Sequence, residues 1–240
     1  THAVMLLEGI IRQFDAGIDC YAMNGLSAEH LDEEIIDLLV KANFKLLNIS
    51  LATVSAEQLQ NLQRHTDVSH FGKIARYAGQ RGLKIIGHFI AGLPGQSLSE
   101  ILASMRFLAE LPLILGISPF YYIPGMELTP PRIPPSCKEA RLTRFFPADD
   151  LLNERDLITL FRLSRWINYL KEQLRHHVLP SLVFNDIPSI FPDDPFLRSF
   201  AEDGKIIGVD AQNNIYTHDI SDSVIRSFKA LFRDAIIYCA

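Results

Sequence analysis

One stretch constrains the fold more than any other: KIIGHFIAGLPGQS, residues 84–97. Ile85, Ile86, Phe89 and Ile90 make a nearly continuous apolar run, the pattern of a parallel strand covered on both faces. Gly92, Pro94 and Gly95 stop that strand and permit backbone angles that other residues resist. Ser97 and Glu100 then have capping-box spacing, so each can satisfy an orphan amide in the first turn of a helix. A glycine turn between the carboxyl end of a parallel strand and a helix N-terminus is where α/β proteins bind ligands. The same residues also suffice for a plain tight βα turn.

The pattern repeats along the chain. Residues 3–15 have helical periodicity, with Thr1 as a candidate cap and Asp15-Ala16-Gly17 as the stop. Ile18–Met23 reads as the first strand, Asn24-Gly25-Leu26 as a turn, and Ser27 as the cap of a helix over 28–42. Phe44–Leu51 is the second strand, followed by a short helix near 56–63. Asp67 or Ser69 caps the next helix, with Phe71, Ile74, Ala75 and Ala78 inward and Arg81-Gly82 at its end. Strand 83–90 and helix 98–110 follow, then a fourth strand over 116–122 ended by Pro124-Gly125. Strand and helix alternate four times, which calls for βαβ units and a parallel sheet. The period alone fits part of a (β/α) barrel or an open doubly wound sheet.

Past residue 127 the character changes. Pro130, Pro131, Pro134, Pro135 and Pro147 make 128–152 a stiff linker. Residues 153–240 read as an accessory α+β region. It has a long helix over 154–177 capped by Asn153, a hairpin of 205–210 with 215–218, and a last helix over 221–237. The organisation expected is therefore 1–127, 128–152 and 153–240.

Composition closes off several functions. A net charge of −5 gives no electrostatic basis for binding nucleic acid or an anionic membrane. No apolar run approaches membrane-spanning length, and the N-terminus lacks the pattern of a signal peptide. Cys20, Cys137 and Cys239 match neither a disulfide framework nor a metal motif, which suits a reducing cytoplasmic compartment. His176 and His177 are adjacent, about 100° apart on a helix, and so are not a metal pair. Asp32, Glu33, Glu34 and Asp37 read as a solvated helix face. His88 points either into a barrel or out onto a helix, and a lone histidine in an apolar strand is commonly a core group.

Four segments fall on one rim of such a sheet: Asn24-Gly25-Leu26, Ser50–Thr53, Gly92–Gly95 and Tyr121–Gly125. In order and spacing, "NGL…LDEEIIDLLVKANF", "LLNISLATVSAEQL", "RGLKIIGHFIAGLPGQS" and "YYIPGM" resemble the radical S-adenosylmethionine (radical SAM) superfamily over about residues 1–127. The resemblance implies a partial (β/α) barrel, truncated at its N-terminus. In that family three clustered cysteines hold a 4Fe–4S cluster, which cleaves SAM reductively to a 5′-deoxyadenosyl radical. The C-x-x-x-C-x-x-C motif is absent here, so the resemblance implies the C-terminal portion of such an enzyme, without a bound cluster or SAM of its own. Carried over by position, Asn24, Asn48, Ser50, His88, Ile90, Gly92, Gln96 and Tyr121 are the implied cofactor-binding residues. Ser50 would lie near the ribose, Ile90 and Gly92 along adenine and methionine, and Tyr121 near adenine. The sequence departs from the family at Ala52 and Gln96, where relatives often carry glutamates. The run "GHFIAGLPGQS" with "ISPFYYIPGM" resembles the cobalamin-associated Fe–S oxidoreductases, which makes cobalamin a further implied cofactor.

Two other readings use the same residues. One is a non-catalytic binding module of the same ancestry, and the other an ordinary barrel enzyme with an anion at the Ser97 helix start. With the first two strands of the barrel missing, strand 18–23 is expected to be an exposed edge through which the chain self-associates.

Overall fold

The computed structural model describes residues 2–14, 17–122 and 145–240. Helix α1 (His2–Phe14) leads into β1 (Cys20–Ser27), α2 (Glu33–Lys41) and β2 (Phe44–Ala52). Then come α3 (Ala56–Asn61), α4 (Val68–Gln80), β3 (Lys84–Ala91), α5 (Leu98–Ala109) and β4 (Ile114–Pro119). The four strands are all parallel and lie in the order β1–β2–β3–β4. Helices α2, α4 and α5 pack on one face of the sheet. A doubly wound sheet reverses its strand order and takes helices on both faces. Sequential order with one helical layer is the plan of a barrel segment. The sheet is open, and no closed barrel forms among the described residues.

The burial of β3 alternates along its length. Ile85, Gly87, Phe89 and Ala91 are buried beneath the helices, while Ile86, His88 and Ile90 are half-buried on the other face. The continuous apolar run therefore has one face in the core and one facing the concavity. Gly87 is required by packing: a Cβ there would stand 2.9 Å from Leu113 and 3.1 Å from Leu108. Phe71 of α4 and Phe107 of α5 meet with ring centroids 6.2 Å apart, joining neighbouring helices of the outer layer.

Several boundaries differ from the sequence expectation. The first strand begins at Cys20 and runs through Asn24-Gly25-Leu26, which is not a turn. Register advances from Ala22↔Leu47 to Leu26↔Ile49, so β1 carries a bulge there. Gly25 takes φ +81°, which its missing Cβ allows. Ser27 does not cap the next helix. A 3₁₀ turn, Ala28–His30, intervenes, and the extended Leu31 breaks the run. Asp32 is the cap, its carboxylate accepting the Ile35 amide at 2.8 Å. The fourth strand lies at 114–119 and not at 116–122, because its first residue is set by the Leu111–Leu113 turn after α5.

The rest of the chain continues the same apolar core. Helix α6 (Glu154–His176) begins with a capping box between Asn153 and Asp156, as the cap assignment predicts. Strand β5 (Ser181–Val183), helix α7 (Ile187–Ile190) and helix α8 (Pro195–Asp203) follow. The predicted hairpin is β6 (Ile207–Val209) with β7 (Ile215–Thr217), organised by the Asp210 carboxylate, which accepts the Gln212 and Asn214 amides. The last helix is shorter than expected. Helix α9 (Asp222–Phe232) ends early, and β8 (Ile236–Tyr238) pairs antiparallel with β5. Helix α6 lies along β4, and α9 packs on α5 and α6. Arg106 of α5 ties the two regions, donating to the Leu231 carbonyl and pairing with Asp234 at 2.9 Å. The prolines of 128–144, and Cys137, lie outside the described residues. No described helix is long and apolar enough to cross a membrane.

Candidate functional site

Strand register brings four of the eight candidate residues onto one surface. Asn48 pairs with Ile86, Ser50 with His88, and His88 with Gly116, so Asn48, Ser50, His88 and Ile90 share the concave face. The His88 ring lies across Gly116, where a Cβ would meet Nδ1 at 2.5 Å. Glycine is thus required opposite the imidazole. Burial lowers the His88 pKa, which keeps the ring neutral near pH 7. His88 has no hydrogen-bond partner among the described residues. It is a neutral donor–acceptor facing the concavity, and of its two predicted orientations it takes the inward one.

Asn48 repairs the bulge in β1. Its Nδ2 donates to the Met23 carbonyl at 2.6 Å, where the β1–β2 ladder has slipped. That fixes the amide orientation and leaves Oδ1 buried without a partner. A buried acceptor left unpaired costs about 1–3 kcal/mol. The Tyr121 hydroxyl, just past β4, is likewise buried without a partner, and burial raises its pKa. The described residues contain no other buried side-chain nitrogen or oxygen of this kind. Such groups are normally satisfied by water or a ligand.

At the carboxyl ends of β1 and β2 lies a polar cleft of about 530 Å³, whose walls include Asn24, Ser50, Arg64 and Thr66. The loop after α3 folds back over the rim through a left-handed residue, Gln63 (φ 52°). This brings the Arg64 guanidinium to the Ser50 hydroxyl at 3.3 Å. Sequence reasoning missed Arg64. The usable signal was the polar run Gln63-Arg64-His65-Thr66 directly after a short helix on the same rim. Thr66 anchors the loop by donating to Glu29 at 3.3 Å.

The glycine turn behaves differently. Gln96 is buried, and its Oε1 accepts from Gly92 and Leu93 at 2.9 and 3.1 Å while Nε2 donates to the Ile90 carbonyl at 3.3 Å. The Gly95 amide donates to Asp149 at 2.7 Å, the Gln96 amide to the Leu93 carbonyl, and the Ser97 amide to Glu100 at 2.8 Å. Every amide from Gly92 to Ser97 is therefore committed within the protein. Gly92 takes φ +85°, and a Cβ there would stand 3.1 Å from Leu157 of α6. The glycine requirement at 92 comes from backbone angle and helix packing. Glu100 also accepts from the Ser55 hydroxyl at 2.6 Å, linking the starts of α3 and α5. Burial pushes its pKa up, but the bonds from Ser55 and Ser97 outweigh that and hold it below the usual range.

Cys20 and Cys239 are free thiols, and no group of three His, Cys, Asp or Glu among the described residues could hold a metal.

The family model of the radical SAM superfamily matches residues 20–108. An uncharacterized protein of Methanocaldococcus jannaschii is 28% identical over 109 residues, 43% of this chain and 34% of that protein. Protein YhcC of Escherichia coli is 28% identical over 90 residues, 36% of this chain and 29% of that protein. The match thus spans about a third of the length of these curated relatives. Among solved structures, the radical SAM methyltransferase TsrM from Kitasatospora setae, with cobalamin and a [4Fe-4S] cluster bound, aligns at TM-score 0.44 and 21% identity. That alignment covers 49% of this chain and 24% of TsrM.

Proposed function

We propose, from the match of residues 20–108 to the radical SAM superfamily model, that this chain forms the SAM-contacting wall of a radical SAM enzyme. The observation that carries the reading is the polar rim cleft, where Arg64 and Ser50 converge above a face bearing His88 and the unpaired Asn48 Oδ1. A cleft of about 530 Å³ is of the size that holds a cofactor. In this reading Arg64 offers a fork for the methionine carboxylate, and Ser50 and Asn24 offer polar groups for the ribose diol. Asn48 Oδ1 accepts a donor from the ligand. SAM, when bound, supplies the adenosyl group for radical chemistry in this family.

The described residues do not fit an iron–sulfur cluster, which needs clustered thiolates, and no step through one is assigned to this chain. In this reading the clustered thiolates that the family uses are supplied by other polypeptide, and cluster chemistry is not assigned to these 240 residues. The Fe–S oxidoreductase subgroup, with cobalamin as a further cofactor, rests on sequence resemblance.

Labelled SAM in equilibrium dialysis against the whole polypeptide that carries this chain tests the reading. Arg64→Ala and Ser50→Val should each weaken binding about tenfold, with the thermal midpoint held. Unchanged affinity in both folded variants would remove the rim cleft from the site. Anaerobic treatment of the 240-residue chain with iron and sulfide should leave no stable cluster absorbance after gel filtration. A stoichiometric cluster would overturn the assignment of its ligands elsewhere.

A second reading, a non-catalytic module of the same ancestry, is favoured by two positions. Gln96 is spent inside its turn, and Ala52 is buried with φ 64°, so neither offers a group to a ligand. SAM binding by the whole polypeptide without formation of 5′-deoxyadenosine would select it. The third reading, an anion at the Ser97 helix start, loses support because Glu100 and Asp149 already hold the Ser97 and Gly95 amides.

A further inference from the structure

A second concave site lies far from the rim cleft in sequence, between α6, α8 and the β6–β7 hairpin. It is a groove of about 280 Å³ with an aromatic floor formed by Phe161, Trp166, Tyr169 and Phe196. Trp166 is buried against Phe200, with centroids 4.3 Å apart, so the floor is rigid. The Tyr169 and Phe196 ring centroids are 5.5 Å apart, with their planes at 56°. The polar groups of the floor are already satisfied. Trp166 Nε1 donates to the Phe196 carbonyl at 3.3 Å, and the Tyr169 hydroxyl donates to Asp194 at 2.7 Å. Asp194 is itself turned inward, accepting the Phe196 and Leu197 amides as the cap of α8.

The lip is cationic. Arg162 donates to the Asp219 carbonyl, and the Asp219 carboxylate is taken by Arg155. Arg165 is exposed, its guanidinium 5.0 Å from the Phe161 ring centroid, and it has neither an ion pair nor a hydrogen bond among the described residues. Stacking on Phe161 orients the planar fork and leaves its donors free. His218 adds a half-buried ring at the opposite wall. In a chain of net charge −5, a preoriented and unpaired guanidinium above an aromatic floor is a specific combination.

We propose that this groove binds a single aromatic ring carrying a carboxylate, with the ring on the aromatic floor and the acid on Arg165. The volume admits one ring and a short acid, below the usual size of a cofactor site. A planar carboxylate matches a guanidinium through two parallel bonds. The proposal is independent of the SAM reading, since it uses none of the rim residues.

Trp166 is the only tryptophan in the chain, so its fluorescence reports the groove directly. Three probes of nearly equal shape separate the contributions: phenylacetate, phenylacetamide and cyclohexylacetate. Phenylacetate should change Trp166 emission saturably, and the uncharged amide and the non-aromatic acid should bind at least about tenfold more weakly. Arg165→Gln should weaken phenylacetate about tenfold, and Arg165→Lys should recover part of the loss. Arg165 is exposed, so both variants should keep the parental circular dichroism and thermal midpoint. Equal binding of all three probes, no saturable signal up to about 10 mM phenylacetate, or full affinity in folded Arg165→Gln would each overturn the proposal.

Discussion

The two edges of the parallel sheet are treated in opposite ways. At β4, α6 lies alongside and inserts one side chain into the ladder: Asn168 Oδ1 accepts the Leu115 amide and Nδ2 donates to the Leu115 carbonyl, both at 2.8 Å. The amide of one asparagine thus stands in for a neighbouring strand. Three residues on, the buried Lys171 donates to the Leu111 carbonyl at 2.6 Å. At β1 the described residues offer no second partner strand. That side instead carries exposed apolar groups, Ile18, Tyr21 and Met23, with Met5 and Leu6 on the adjoining α1. An edge can be closed by side-chain amides where a helix runs beside it. Where none does, unpaired backbone and apolar side chains together make a surface that recruits another strand.

The largest expected effect is at the closed edge. Asn168→Leu removes both substitute bonds and strands an amide and a carbonyl, a loss of about 2–6 kcal/mol at about 1–3 kcal/mol for each group. Urea unfolding measures it, and faster amide exchange at Leu115 should accompany it. A loss below about 0.5 kcal/mol, within the range of neutral surface changes, would mean that α6 does not close this edge.

Lys171 sharpens the same comparison through pH. Burial lowers its pKa to about 7, with a smaller opposing effect from Cys239, against an ordinary 10.5. Between these values the unfolded chain holds a proton that the folded chain lacks, so stability should rise from pH 7 to about 10 and level off below 7. Lys171→Met should flatten that rise in thermal midpoint. An unchanged slope would show that the amine is not the titrating group.

The concave face lies between the edges and should give a moderate effect. Gly116→Ala forces a Cβ against His88, and overpacking of this kind costs about 1–3 kcal/mol. In a His88→Ala background most of that cost should vanish, a coupling of about 1 kcal/mol or more in a double-mutant cycle. Additive losses would show that the imidazole does not sit over the glycine.

The smallest effect on stability is at the open edge, where the consequence is association. We expect the chain to self-associate through residues 18–23. Tyr21→Lys should abolish this while changing stability by no more than about 0.5 kcal/mol. Sedimentation over a concentration series measures it. A monodisperse parent with slow amide exchange along 20–23 would mean that the edge is already paired.

Local chemistry explains what was legible in advance. The alternation of elements, the capping box at Ser97, the Asn153 cap, a cap at Asp67 or Ser69 and the β6–β7 hairpin depend on residues within a few positions of one another. So does the implication of a rim bearing Ser50, whereas strand period leaves open which face His88 takes until the helices are packed. Other features rest on distant partners that no local pattern encodes. The bulge in β1 is stabilised by Asn48, the turn at Gly92 is closed by Gln96, Asp149 and Leu157, and β8 exists because β5 is there to receive it. Arg64 reaches Ser50, and Asn168 reaches β4, only after the chain has folded. Sequence alone determined the alternating strands and helices of the first 120 residues, their order and the resemblance, since propensity and periodicity act over one or two turns. Tertiary structure decided which turn is sealed, which edge is closed and which cleft stays open, since those depend on what packs against a backbone group from elsewhere in the chain.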